Sequence, residues 1–210
     1  MNTIRTFEDY QEQYKRSIEQ PEVFWAEIAS EFSWRKKWNK VLTWDFHKPE
    51  VRWFEGAKLN VTENCMDRHL PGRANQTAII WEPNNPEDQA QLITYQQLHD
   101  EVCKTANMLK AHGVKKGDRV CIYLPMIPQR ASAIPACARI GPVHSVVFAG
   151  FSSRSLVDRI TDAGCKIVLT ADGGFRGEKT IDLKGIIDDA LEKCPDVKRV
   201  IVYEHTGTKP

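Results

Sequence analysis

From Thr77 onward the chain alternates apolar segments of strand length with amphipathic segments of helix length. The apolar segments are continuous, which is typical of parallel strands that are buried on both faces. This pattern predicts an α/β fold with a mostly parallel β-sheet flanked by helices. The predicted strands are 77–83, 92–95, 117–125, 143–149, 165–171 and 197–203. Because only a polar turn separates the first two, they are expected to form a hairpin.

The clearest predicted helix covers residues 94–114, where apolar side chains recur at helical spacing and Gly113 supplies the C-terminal stop. Thr94 and Gln97 have the spacing of a capping box, in which each side chain bonds the backbone amide of the other. Further helices are predicted at 129–141, 152–164 and 181–194. Pro135 lies inside the first of these, so a kink or a late start is expected there.

Residues 1–75 differ in character and are predicted to form a helical and irregular segment, whereas 76–210 are predicted to form the α/β portion. Helices are predicted at 6–20, 21–32 and 58–70. Between them lie tryptophans separated by cations with no clean period, namely Trp34, Trp38, Trp44 and Trp53. Aromatic and basic residues together can stack on nucleic acid, but the net charge of +1 favours hydrophobic anchoring of the segment.

Composition excludes several partners and sites. A net charge of +1 gives no reason to expect nucleic acid as a partner, and no apolar window has the length of a membrane span. The polar N-terminus is unlike a secretory signal. Six cysteines with no CxxC spacing predict buried free thiols in a reducing, cytoplasmic environment, and no metal site.

The stretch TADGGFRGEKT, residues 170–180, follows a predicted strand and resembles a phosphate-binding loop. A P-loop is excluded, because the glycine spacing is wrong and Glu178 separates Gly177 from Lys179. Arg176 and Lys179 still suit a phosphate, although a solvated surface turn explains the same composition. If strands 143–149 and 165–171 are neighbours, the loop Phe148–Gly150 lies close by, and the two loops suit a purine beside a phosphate.

The stretch PMIPQRASAIPACARIGPVHSVVFAGFSSRSLVDRITDAGCKIVLTADGGFRGEK strongly resembles the acetyl-coenzyme A synthetases of the adenylate-forming superfamily. The segments RWFEGAKLNVTENC and ITYQQLHDEVCKTANMLKAHGVKKGDRVCIYLPM agree with the same family. The resemblance implies that residues 76–210 belong to the large N-terminal domain of the adenylate-forming fold. It also implies a ligase that converts acetate and MgATP into acetyl-AMP, and then transfers the acetyl group to coenzyme A.

The resemblance assigns a coenzyme A site to the two loops. Arg176 is expected against the adenine and Lys179 on the nucleotide phosphates. Gly177 and Glu178 lie between these cations, and Ile181 is expected to line the adenine pocket. The partner loop supplies Phe148, Ala149 and Gly150. Ala149 departs from the usual glycine, and its methyl group is expected to crowd the adenine edge.

The family's ATP loop, its adenylation motif and its catalytic lysine do not occur in this sequence. The resemblance therefore implies an N-terminal portion with no catalytic residue of its own, inactive without the rest of the parent chain, which supplies most of the ATP and Mg²⁺ contacts. Two alternatives remain open: a ligase for propionate or another short-chain acid, and a non-catalytic nucleotide-binding or interaction module. An incomplete parallel sheet has an exposed edge, so self-association is also expected.

Overall fold

The computed structural model describes residues 4–208, and they fall into two compact units, one ending at Arg68 and one beginning at His69. The first unit contains α1 (Phe7–Glu19), α2 (Pro21–Ser30), β1 (Lys40–Asp45), β2 (Glu50–Glu55) and α3 (Val61–Cys65). A capping box of Thr6 and Asp9 begins α1, and Pro21 at its first turn begins α2. Within the described residues, no side chain of α1 is buried.

The tryptophan-rich stretch forms an antiparallel hairpin of β1 and β2, where the sequence predicted an irregular segment. Leu42, which is buried, pairs with Trp53 across this hairpin. The rings of Trp34, Trp38 and Phe54 lie 5.2–5.4 Å apart, and the Trp34 indole donates to the carbonyl oxygen of Ala29. Pairing and ring packing therefore create strands that have no periodic signal in the sequence.

The single helix predicted for 58–70 is wrong. The chain there forms α3, a 3₁₀ turn Asp67–His69 and α4 (Leu70–Arg73). The side chain of Asn60 accepts from the amide of Thr62 and so caps α3 two residues after the predicted start. The buried amide side chain of Asn64 bonds the backbone of Ser33, and Met66 leaves the helical conformation. A tertiary contact thus interrupts the helical pattern.

The second unit contains the residues predicted as the α/β portion, and the structure confirms the α/β fold class. Its remaining elements are β3 (Thr77–Trp81), β4 (Gln91–Thr94), α5 (Tyr95–Ala111), β5 (Arg119–Tyr123), α6 (Pro128–Ile140), β6 (Val143–Val146), α7 (Ser153–Ala163), β7 (Ile167–Ala171), β8 (Gly174–Arg176), β9 (Lys179–Ile181), α8 (Leu183–Leu191) and β10 (Arg199–Tyr203). The β3–β4 hairpin and the Thr94–Gln97 capping box are confirmed. Helix α6 begins at Pro128 and includes Pro135, so of the two effects expected from this proline, a kink or a late start, the late start does not occur.

Four parallel strands form the central sheet in the order β10-β7-β5-β6. After β5 the chain moves to one side through α6, whereas after β6 it crosses back over β5 to reach β7 and then β10. Because parallel crossovers are right-handed, opposite directions of travel place α6 on one face and α7 with α8 on the other. Helix α5 packs on α6, and α7 packs on α8. Strand β7 is therefore buried along its whole length.

The six cysteines are free, and four of them are buried, namely Cys121, Cys137, Cys165 and Cys194. Burial raises the pKa of the Cys121 and Cys137 thiols to about 12, with a smaller contribution at Cys121 from the neighbouring thiols of Cys165 and Cys194. These thiols stay neutral and inert at neutral pH. Cys65 is exposed and Cys103 is half-buried. No cluster of metal-binding side chains occurs between residues 4 and 208.

Thiol-specific labelling of the folded protein at neutral pH is expected to modify Cys65 first, while Cys121 and Cys137 react only after denaturation. The reason is that both exposure and thiolate formation are suppressed in the core. Peptide mass spectrometry after timed labelling measures the order. A Cys65→Ser variant should lose the fast phase, and early labelling of Cys121 would contradict the assigned packing.

Candidate functional site

The candidate site lies at the carboxyl edge of the sheet, where β5 and β7 end side by side. The connection that leaves β5 runs to one side and the connection that leaves β7 runs to the other. In open α/β sheets, a crevice forms at such a reversal, and ligands bind there. Pro125 follows β5, and a Cβ built on Gly174 lies 3.2 Å from its ring, so glycine permits this close approach.

The loop predicted from TADGGFRGEKT is a short antiparallel hairpin, β8–β9, with a two-residue turn of Gly177 and Glu178. Gly177 has a φ of +60°, and glycine at the first turn position is typical of a type II′ hairpin turn. Arg176 pairs directly with Lys179 at the base of this turn. The two predicted phosphate-binding cations are thus brought together by the backbone.

Cross-strand partners lie on the same side of a hairpin, so Arg176 and Lys179 share one face, together with the half-buried Ile181 two residues further on. Both cations are exposed, and no hydrogen bond or ion pair from residues 4–208 engages either side-chain charge. Like charges directly opposite each other destabilise a strand pair. An anion that bridges the two side chains would relieve this repulsion.

The opposite face of the hairpin carries Phe175, whose ring centroid lies 5.5 Å from that of His205. A pocket of about 830 Å³ opens on this side, lined in part by Trp81, Phe175, His205 and Glu178. The cation pair and this cavity therefore belong to different faces of one hairpin.

The second predicted loop, Phe148–Gly150, follows β6. Sequence reasoning placed this loop beside the hairpin on the condition that β6 and β7 are neighbours, and that condition is not met, because β5 lies between them. Two strand spacings of about 4.8 Å separate the starts of the two loops by about 10 Å. The sequence could not predict the strand order, because the path of each helical connection across the sheet decides which strands become neighbours.

The end of β5 fixes the second loop. The Tyr123 hydroxyl donates to the carbonyl oxygen of Phe151 at 2.9 Å and accepts from the amide of Gly150 at 3.2 Å. Gly150 has a φ of +139°, which L-residues rarely adopt. Phe148 remains 54% exposed, with its ring 5.8 Å from that of Phe151, and Ala149 is half-buried. An exposed aromatic ring is thus held on a braced loop.

A buried carboxylate organises the end of β7. Asp172, only 2% exposed, accepts hydrogen bonds from the amides of Gly173, His205, Thr206 and Thr208 and from the Thr206 hydroxyl. Burial alone would raise the pKa of Asp172, but these hydrogen bonds lower it to about 2. The carboxylate therefore ties the start of the hairpin to the segment after β10.

Sequence reasoning missed two residues that shape this edge, Tyr123 and Asn84, and it assigned Asp172 only to a turn. An aspartate before two glycines is a local turn signal, but it does not predict the bonds of Asp172 to the segment after β10. Asn84, in the β3–β4 loop, bonds the backbone of Gly177, which is 93 residues away. No local pattern predicts a contact of that range.

Substituting Asp172→Asn is expected to lower the free energy of unfolding by about 2 kcal/mol at pH 7. Because the folded pKa of Asp172 is depressed from 3.8 to about 2, the carboxylate contributes its full stability above the unfolded pKa. That contribution is lost as the pH falls through the folded pKa, so the difference between variant and wild type should shrink between pH 4 and pH 2.

Urea unfolding at a series of pH values measures this difference. The matched control is Asp189→Asn, at an exposed position of α8, which should change stability by less than about 0.5 kcal/mol. A difference at Asp172 that stays constant down to pH 2 would contradict the assigned pKa.

The parallel sheet and the two loops at its carboxyl edge define an α/β protein with a candidate ligand crevice at the ends of β5 and β7. Residues 66–210 match the family model described as AMP-binding enzyme, and residues 10–65 match the model described as acetyl-coenzyme A synthetase N-terminus. The chain therefore belongs to the AMP-binding enzyme family.

Its relatives include the acetyl-coenzyme A synthetase of Saccharophagus degradans, 60% identical over 95% of this chain, and that of Alkalilimnicola ehrlichii, 56% identical over 96%. The chain spans 31% of the length of each. Among solved structures, the acetoacetyl-CoA synthetase from Streptomyces lividans superposes with a TM-score of 0.86 at 28% identity. That superposition covers 93% of this chain and 30% of the other.

Proposed function

We propose that this chain is a portion of an AMP-forming acetate–CoA ligase and that it carries one side of the coenzyme A site. In the proposed reaction, a carboxylate oxygen of acetate attacks the α-phosphorus of ATP, which gives acetyl-AMP and releases pyrophosphate. The thiol of coenzyme A then attacks the acyl carbon, and AMP leaves. The names of the relatives, at 54–60% identity, support this assignment.

The observation that carries the coenzyme A site is the exposed pair of Arg176 and Lys179. Coenzyme A has a 3′-phosphate and a pyrophosphate beside an adenine. A guanidinium fork stacks on a purine or binds phosphate oxygens in a bidentate manner, and an ammonium serves as a point charge. The half-buried Ile181 on the same face supplies an apolar contact for the ring. The exposed Phe148 supports a second aromatic contact from the loop after β6.

The adenylation step is proposed to depend on residues outside positions 4–208. Within that range no group of three or more Asp, Glu, His or Cys side chains could hold a metal ion, so the Mg²⁺ contacts are assigned to the rest of the proposed ligase. The role of the chain in the reaction is then to bind and orient coenzyme A. Its free thiols are consistent with a cytoplasmic location, which we also propose.

Acetate is favoured as the acid because the relatives at 54–60% identity carry that name, whereas the acetoacetyl-CoA synthetase is only 28% identical. A ligase for propionate is the second candidate. The acid pocket is not formed by any site residue assigned above, so coenzyme A binding tests the first proposal independently of the acid.

Calorimetric titration of the protein with coenzyme A and with 3′,5′-ADP is expected to show binding. The Arg176→Ala variant should bind each of the two ligands with an affinity lower by about tenfold or more. The reason is the loss of a charge-assisted hydrogen bond or stacking contact. Arg73→Ala, at an exposed position of α4, is the matched control and should bind as wild type does.

Equal affinities of wild type and Arg176→Ala would contradict the site. Binding of 3′,5′-ADP without ligase activity of the parent chain would favour a nucleotide-binding module over the enzyme.

The edge strand β6 is also proposed to mediate self-association. Its pairing within the described residues is with β5 alone, and Val143 and Val146 are exposed. An unpaired edge with apolar side chains is a template for strand pairing. A monomeric mass by light scattering at high concentration would contradict this proposal.

A further inference from the structure

We infer that Asn84 is a positioning residue for the cation pair, acting through the turn of the β8–β9 hairpin. The inference rests on the proposed coenzyme A site. Asn84 lies in the loop between β3 and β4, and it does not contact either cation side chain through any bond among residues 4–208. Its partner is the backbone of Gly177, the residue that turns the chain between Arg176 and Lys179.

The geometry of this contact is reciprocal. The Asn84 amide nitrogen donates to the Gly177 carbonyl oxygen at 2.9 Å, and its amide oxygen accepts from the Gly177 amide at 3.2 Å. One side chain thus bonds both the backbone amide and the backbone carbonyl oxygen of Gly177. An asparagine has the donor and acceptor needed for this, whereas an aspartate retains only the acceptor.

The loop that presents Asn84 is itself anchored. The Trp81 indole nitrogen donates to the carbonyl oxygen of Met126 at 2.7 Å, which joins the end of β3 to the segment after β5. Asn84 follows three residues later. The hairpin tip is therefore tied, through Asn84 and Trp81, to the strand that ends at the centre of the carboxyl edge.

The tip of the hairpin needs this tie, because the contacts of Asp172, Gly174 and Phe175 hold the hairpin only nearer its base. Strands β8 and β9 have three residues each, and Phe175, Arg176, Lys179 and Thr180 are exposed. An isolated two-stranded hairpin is at best marginally stable in water. The paired cations repel one another and oppose closure of the same turn. Releasing the tip would let Arg176 and Lys179 leave their paired register, and both charges would no longer face one ligand.

Trypsin digestion tests the clamp, meaning the two hydrogen bonds between Asn84 and Gly177, without any ligand. Arg176 and Lys179 are themselves trypsin cleavage sites at the tip. Asn84→Ala should speed cleavage at these two sites by about tenfold, because two hydrogen bonds that oppose local opening are lost. The Asn84→Asp variant keeps one of the two hydrogen bonds, so its cleavage rate should lie between those of Asn84→Ala and wild type. Mass spectrometry identifies the cleaved bonds, and a thermal melt confirms that global stability is retained.

Asn85→Ala is the matched control. The Asn85 side chain bonds Glu87 and Asp88 within its own loop, so its removal should leave cleavage at the hairpin tip unchanged. Equal cleavage rates for Asn84→Ala and wild type would overturn the inference.

Calorimetry then separates positioning from general stability. Asn84→Ala should weaken 3′,5′-ADP binding by about fivefold, and the loss should disappear in an Arg176→Ala/Lys179→Ala background, since the residue acts through these cations. Unchanged affinity in Asn84→Ala, with wild type binding normally, would overturn the positioning role and leave the proposed function standing. Absence of binding by wild type would instead overturn the proposed site, while faster cleavage would still support the clamp.

Discussion

The carboxyl edge of the sheet depends on the buried carboxylate of Asp172. A charge removed from water is costly unless hydrogen bonds replace its hydration, and here backbone amides and a hydroxyl surround it. Those amides come from both sides of the edge: Gly173 at the start of the hairpin and Thr206 after β10. The depressed pKa of Asp172 follows from the same bonds. The carboxylate thereby fixes where the hairpin leaves the sheet.

From that anchor, the hairpin extends as a small element that presents two like charges to solvent. Such an arrangement is unfavourable by itself, since Arg176 faces Lys179 and neither has an acidic partner among the described residues. Natural sequences depart from local stability mainly at functional sites. The unfavourable pair, the glycine turn and the Asn84 contact together support the proposal that this tip binds an anion and is braced in advance.

The sequence predicted the layers of the second unit well, because its signals are local and strong. Continuous apolar strands, the Thr94–Gln97 capping box and the β3–β4 hairpin each depend on residues within one segment. It failed where the residues have no regular period, as in the β1–β2 hairpin, which is stabilised by ring packing. It also failed where a distant partner takes part, as in α3, whose Asn64 side chain bonds the backbone of Ser33. Residue identity and spacing carry no record of such contacts.

By itself, the sequence determined the α/β class, the free thiols and the pair of cations at Arg176 and Lys179, since composition and short-range spacing suffice for these. The tertiary structure alone decided that β5 separates β6 from β7, that the glycine-rich stretch is a hairpin, and that Asn84 reaches Gly177. The physical reason is that strand order and long-range hydrogen bonds follow from how helices cross and pack over the sheet. Crossover direction is a property of the whole unit, whereas a motif is a property of a few residues.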